Sequence, residues 1–261
     1  MRALAIAATG MTAQQMRVEV ISNNLANMNT TGYNARRAEF ADLHYQQQAR
    51  AGAIAATTGA VLPTGVQLGL GVRPAAVAME PAQGSLSQTG GELDVAISGG
   101  GYLEVALPAG TPAYTRDGAL KRTGEGLLVT SDGHPVAGDL TIPDDAPSVT
   151  INPEGEVYAH FLDQVEPELL GQLTLVAFSN EKGLEALGSN LYAETAASGA
   201  PQEGFAGEDG LGLFRQGYLE DSSVDAVREI TDLIEAQRGY EMNAKVITAA
   251  DQMLAATAQI R

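Results

Sequence analysis

The 261-residue chain contains no cysteine and no tryptophan, only three histidines, and fewer than half as many bases as acids, 15 against 32. Each shortage closes a class of function. Without cysteine there is no disulfide, no thiolate metal site and no cysteine nucleophile, although the compartment stays open. His44, His134 and His160 stand alone, with no HExxH and no pair at helical spacing, so the ligand set of a zinc site is missing. A net charge of −17 leaves no basic groove for a nucleic acid backbone. Long apolar runs are absent too. The first, Ala3 to Ala8, is too short for a signal peptide core or a bilayer span, so neither a cleaved export signal nor membrane insertion is expected.

The remaining routes to catalysis are equally bare. There is no GxxxxGK phosphate loop and no GxSxG nucleophile elbow. Gly99-Gly100-Gly101 follows a strand pattern but leads into another strand, which reads as a tight turn or bulge and not as a dinucleotide loop. Asp117-Gly118 and Asp132-Gly133 lack the other ligands of a calcium loop. Among 32 acids, carboxylate pairs arise by chance, so a glycan-cleaving pair has nothing specific to recommend it. No catalytic residue, cofactor site or metal ligand is assigned, and the chain is expected not to be an enzyme.

What is present is pattern at the two ends. Leu4, Met11, Val18 and Leu25 recur every seven residues, with Ala7, Gln14, Ile21 and Met28 three places on, an a/d stripe with small members that allow close helix approach. Near the other end Leu233, Tyr240, Ile247 and Leu254 form one seven-spaced row, and Met242, Val246, Ala249, Met253 and Ile260 a second beside it. A helix from about Ser223 to Ile260 would therefore be apolar over a wide arc, of which one partner helix covers only one row. Charge follows the same division. Residues 1–40 carry a net +2 and residues 219–261 a net −4, while 22 acids and seven bases in between give −15. Nearly neutral ends let like copies approach, and an acidic middle suits a solvated outer surface.

Between the ends the period shortens to two. "LDVAISGGGYLEVAL", "AYTRDGALKRTGEGLLVTSDGHPV", "DLTIPDDAPSVTINPEGEVYAHF" and "GQLTLVAFS" alternate apolar and polar residues and are broken by Asp-Gly and Glu-Gly turns, as antiparallel strands are. Residues 45–71 and 195–212 show no period and read as extended or flexible. The expected fold class is α+β. Discontinuous N- and C-terminal helices, residues 1–30 and 224–261, pair as a coiled-coil-like inner domain, with a central antiparallel β-rich outer domain at 72–200. Residues 31–71 and 201–223 serve as connectors.

One stretch carries more than pattern. "NNLANMNTTGY" packs Asn23, Asn24, Leu25, Asn27, Asn29, Thr30 and Gly32 behind the first helix. Asn and Thr side chains compete for backbone hydrogen bonds, and glycine turns the chain cheaply, so the helix must stop there. The order of residues resembles the signature of the bacterial flagellar rod and hook proteins, the axial family. At the far end "IEAQRGYEMNAKVITAADQMLA", with Gln237, Arg238, Tyr240, Glu241 and Asn243, resembles that family's C-terminal helix. "LPTGVQLGLGVRP", "LDVAISGGGYLEV", "YTRDGAL" and "GYLEDSSVD" are similar to segments of its distal-rod members, so the likeness runs along nearly the whole chain.

The resemblance implies a non-enzymatic subunit that polymerises with itself into a hollow helical shaft, transmitting torque and carrying an export channel. It implies proximal rod and hook proteins at the ends of that shaft, ring proteins of the basal body around it, a periplasm-spanning location, and delivery by the flagellar type III export apparatus. The inner wall would use Leu4, Met11, Val18, Ile21, Leu25, Met28, Leu233, Tyr240, Val246, Ile247, Met253, Leu254 and Ile260. Two positions depart from the family pattern: Gly239 where a helix former such as Ala is usual, and Tyr33 in place of Phe. The rivals are another axial protein of the proximal rod or hook, a coiled-coil adaptor that does not polymerise, and a periplasmic glycan-cleaving enzyme.

Overall fold

The computed structural model describes residues 2–49, 64–108, 110–138, 140–162, 166–208 and 210–259. The chain is α+β and divides into two compact units. One comprises residues 1–25, 36–78 and 226–261, the other 26–35 and 79–225. Residues 31–35 and 201–223 lie in the β-rich unit, and residues 36–49 and 64–71 go with the helices, each stretch carrying hydrogen-bonded strands or turns.

In the first unit α1 (Arg2–Ala26) and α2 (Ala226–Gln259) pack together. Asn24 meets Glu229, Arg17 meets Asp232 and Glu235, Gln14 lies against Gly239, and Gly10 against Asn243. The partners run in opposite directions, so the helices are antiparallel. Beyond Asn243, α2 continues to Gln259, further than α1 reaches before Gly10. The same unit holds a two-stranded ribbon: β1 (Arg36–Asp42) is bonded to β4 (Val72–Met79), and β2 (Tyr45–Ala49) runs antiparallel to β3 (Val66–Gly69). Leu43 N–H donates to Gly71 O at 2.8 Å where the two pairs meet. Tyr45, directly across from Gly69, lays its ring over that glycine. This ribbon occupies part of the 45–71 stretch that shows no period; residues 50–63 of that stretch lie outside the described residues.

The β-rich unit is antiparallel in all its named strand pairs, as the alternation implies. A four-stranded sheet runs in the order Glu185–Gly188, Leu191–Ala193, Pro112–Thr115, Leu103–Ala106, and a three-stranded one joins Ser148–Ile151, Glu156–His160 and Glu168–Gln172. Inward residues of these sheets and of the shorter strand pairs around them, among them Ile97, Leu103, Leu128, Val149, Leu175 and Phe214, form one hydrophobic core. A second cluster sets Tyr102, Tyr114, Tyr192 and Phe178 edge to face, with ring centroids 4.8 to 6.0 Å apart. The expected turns are there: Gly126, Gly133 and Gly155 each close a tight turn with a backbone hydrogen bond of 2.9 to 3.0 Å.

Candidate assembly surface

The seam between α1 and α2 is built from small residues. Ala7, Ala13 and Ile21 of α1 and Ala236 and Ala250 of α2 are its buried members. Each helix adds a glycine that admits the other's side chain. A Cβ at Gly10 would lie 2.9 to 3.1 Å from the amide of Asn243, and one at Gly239 would lie 3.1 to 3.4 Å from the side chain of Gln14. Gly239 thus sits where a side chain of α1 packs directly on α2, and the helix-propensity cost of a mid-helix glycine is set against that approach. Charged groups bind the margin. Arg17 Nη2 donates to Asp232 Oδ1 at 2.9 Å and to Glu235 Oε2 at 3.0 Å.

The expected interface residues separate into two groups around this seam. Ile21 is buried, and Leu4, Met11, Val18, Leu25, Leu233 and Ile247 are half-buried. Tyr240, Val246, Met253 and Leu254 remain exposed, with Val227, Ile230, Ile234 and Met242 on α2 beside them. The row of Leu233 and Ile247 is covered only in part, its members Tyr240 and Leu254 staying exposed, while the neighbouring row of Met242, Val246 and Met253 is open. Met28 is not on the helical stripe: α1 ends at Ala26, and Met28 lies exposed in the turn that follows. The Asn-rich sequence stops the helix two residues before the last heptad position. Ile260 lies outside the described residues.

The asparagine signature has two kinds of task. Asn24 is buried and works within the first unit. Its amide donates to Arg36 O at 2.8 Å and to Glu229 Oε1 at 3.1 Å, and its carbonyl accepts from Arg36 N–H at 2.9 Å. The side chain thereby joins α1, β1 and α2. Asn27 works in the second unit, where its Oδ1 accepts from the Thr30 hydroxyl at 3.2 Å and its backbone O from Thr30 N–H at 3.1 Å. Asn23 and Asn29 are exposed, as are Gln237, Arg238 and Glu241 of the C-terminal signature, while Asn243 is half-buried against Gly10.

Residues 26–35 are laced to the β-rich unit by contacts that sequence reasoning did not foresee. Gly32 N–H donates to Glu220 O at 2.8 Å, Ser223 N–H to Tyr33 O at 3.0 Å, Ala35 N–H to Ser223 Oγ at 2.9 Å, and the Asn190 amide donates to Thr31 O. Beneath them lies a buried ion pair. Arg116, 6% exposed, donates from Nε to Glu220 Oε2 at 2.9 Å, and from Nη1 and Nη2 to Gly101 O and Gly99 O. The triple glycine, a turn or bulge by sequence, supplies these two carbonyls. Glu220 Oε1 accepts in turn from Gly84 N–H at 3.0 Å. Such a pair leaves no periodic trace in a sequence, which is why it was not legible.

Among the described residues no group of His, Asp and Glu could hold a metal ion, and no helix is long and apolar enough to cross a membrane. The surface that stands out is the open row on α2.

Three sequence profiles match along the chain: the flagella basal body rod protein over residues 4–34, the flagellar hook protein FlgE/F/G D1 domain over 96–159, and the flagellar basal body rod FlgEFG protein C-terminal over 215–260. The chain is 51% identical to the flagellar basal-body rod protein FlgG of Caulobacter vibrioides, over the full length of both. The chain belongs to the flagellar basal-body rod family. The FlgG of Agrobacterium fabrum is 51% identical over 97% of each chain, and that of Bacillus subtilis 38% over 97%. The flagellar hook-basal body complex protein FlhP of B. subtilis is 33% identical over the full length of both. Rod-family proteins are structural parts of the flagellar basal body and not enzymes. The two terminal profiles cover most of α1, nearly all of α2 and both asparagine tasks described above.

Proposed function

We propose that the chain is a distal-rod subunit that polymerises into a hollow helical shaft in the periplasm, with α1 and α2 toward the channel and the acidic β-rich unit outside. The shaft transmits torque from motor to hook and leaves a lumen for export. Its neighbours are proximal rod and hook proteins at its ends and ring proteins around it, and the type III export apparatus delivers the subunit. The inner-wall residues are those of the two helical rows, Leu4 through Leu25 on α1 and Leu233 through Leu254 on α2.

The observation that carries this reading is the open apolar row of α2. Met242, Val246 and Met253 are 62%, 48% and 64% exposed although α1 already covers the adjacent arc. A monomer gains nothing from displaying such a row, whereas a helical polymer buries it against further copies. The full-length likeness to FlgG proteins favours rod over hook.

Val246→Asp is the direct test. In the subunit this position is exposed, so the aspartate stays solvated and the thermal unfolding of the purified protein stays close to wild type. In a polymer the same charge is buried without a partner, at a cost of several kcal/mol. Swimming is expected to stop, and basal bodies imaged by electron microscopy to lack a complete rod. Normal swimming with Val246→Asp would refute the inner-wall assignment.

A further inference from the structure

With no cysteine, methionine thioethers are the chain's only sulfur, and the seven methionines are distributed unevenly. Met79 is 7% exposed and packs in the aromatic cluster of the β-rich unit. Met11 and Met16 are half-buried on α1. Met242 and Met253, by contrast, are 62% and 64% exposed, the most open large apolar side chains of α2 after Val227. Three helical turns separate them, which returns the second to within about 20° of the first, with Val246 between them along the axis and about 40° from Met242. The open row of α2 therefore presents two accessible thioethers on one line.

We propose that Met242 and Met253 form an oxidative modification site that blocks assembly of the subunit, a reading that rests on the proposed burial of this row in the rod. Hydrogen peroxide is the oxidant. The sulfur lone pair attacks one peroxide oxygen, an S–O bond forms as the O–O bond breaks, and the departing hydroxide takes the proton of the oxygen now on sulfur to leave as water. The thioether loses two electrons and becomes the sulfoxide. A flexible apolar side chain is thereby turned into a polar one with a strong acceptor. In the free subunit the change is tolerated, because the sulfoxide oxygen faces water. In the polymer it would have to be buried with no donor provided for it. A dithiol-dependent reductase reverses the step, removing the oxygen as water and leaving as a disulfide. Burial in a finished rod shields both sulfurs, so only subunits not yet assembled are vulnerable.

The test has two arms. The full-length purified protein is treated with hydrogen peroxide, and each methionine is followed by peptide mass spectrometry. Met242 and Met253 are expected to oxidise at least tenfold faster than Met79, with thermal unfolding nearly unchanged at the point where both are modified and Met79 is not. In the second arm, cells express the subunit during a peroxide pulse, and its content in isolated basal bodies is measured. Wild-type incorporation is expected to fall at least fivefold, while a Met242→Leu/Met253→Leu chain, which keeps the apolar row without sulfur, incorporates as in untreated cells. Met242→Gln/Met253→Gln, which mimics the polar product, should fail to incorporate without any oxidant. Equal oxidation of Met79, or equal peroxide sensitivity of the Leu variant, would overturn the methionine site alone. Absence of the untreated wild-type chain from basal bodies would overturn the rod reading beneath it.

Discussion

At the scale of single residues, the least replaceable positions are those where backbone and charge are fixed together. Gly32 is buried at φ +64°, and a Cβ there would lie 2.9 Å from the Arg116 backbone carbon. Gly32→Ala meets both a left-handed penalty of about 1–2 kcal/mol and a clash with a backbone that cannot step aside. Urea unfolding of the purified subunit should show a loss at the upper end of that range or beyond. Arg116→Met is expected to cost more, about 3–5 kcal/mol, because it leaves Glu220 charged and buried. Glu104 and Asp117 give the unit a pH dependence of the opposite kind. Burial, and secondarily Glu203, pushes the Glu104 carboxyl above its ordinary range; burial does the same for Asp117, opposed next by the Ala119 N–H and reinforced by Asp132 and Asp94. A carboxyl raised in the folded state holds its proton where the unfolded chain has released it. Its penalty is therefore absent below the unfolded value near 4.5 and complete above the raised folded one. Stability should rise as pH falls from neutrality toward that window. Glu104→Gln should flatten the slope without lowering the neutral-pH melting temperature, as thermal melts at a series of pH values will tell.

At the scale of elements, the helix pair depends on close approach far more than on its ion pairs. Arg17 and its partners Asp232 and Glu235 keep between 30% and 70% of their side-chain surface in water, so Arg17→Met should cost no more than about 1 kcal/mol, and less at high salt. The glycines respond differently from each other. At Gly239 the added methyl meets the flexible Gln14 side chain, which can swing away, so the helix-propensity gain of about 0.5–1 kcal/mol prevails and Gly239→Ala should raise the melting temperature. At Gly10 the methyl meets all three heavy atoms of the Asn243 amide group within 3.1 Å, and Gly10→Ala should lower it. Circular dichroism melts of the two variants give the contrast directly. The heptad rows made both helices legible, since burial of one face forces a 3.6-residue period on a sequence. The ribbon of β2 and β3 was not legible for the same reason in reverse: "YQQQA" and "VQLG" are exposed at all but one position each, and a strand with no buried face has no need to alternate. The antiparallel β-rich unit was legible because its strands do bury a face. Its limits were not, because Glu220 and Ser223, which draw residues 26–35 into it, act through hydrogen bonds and charge that carry no period.

At the scale of the whole molecule, charge decides how readily copies meet. Apolar rows and a helix pair of modest net charge favour contact between subunits, but every approaching copy brings a net −17, most of it between residues 41 and 218. A polymer concentrates that charge along one axis, and the repulsion acts at a range that salt controls. The Debye length is about 30 Å at 0.01 M, comparable to a domain, and only about 3 Å at 1 M. Assembly of the purified subunit should therefore be weakest in dilute buffer and grow with ionic strength, whereas an interface held by salt bridges such as those of Arg17 would weaken along the same series. Sedimentation of the concentrated protein from low to high sodium chloride separates these outcomes. The hydrophobic contribution sharpens the test, because apolar burial weakens on cooling while screened repulsion changes little. Polymer that accumulates with salt and recedes in the cold would identify the exposed row of α2 as the attractive element and the acidic β-rich unit as the opposing one. Val246→Asp should remove the salt response, since screening can reveal an attraction only where the row is intact.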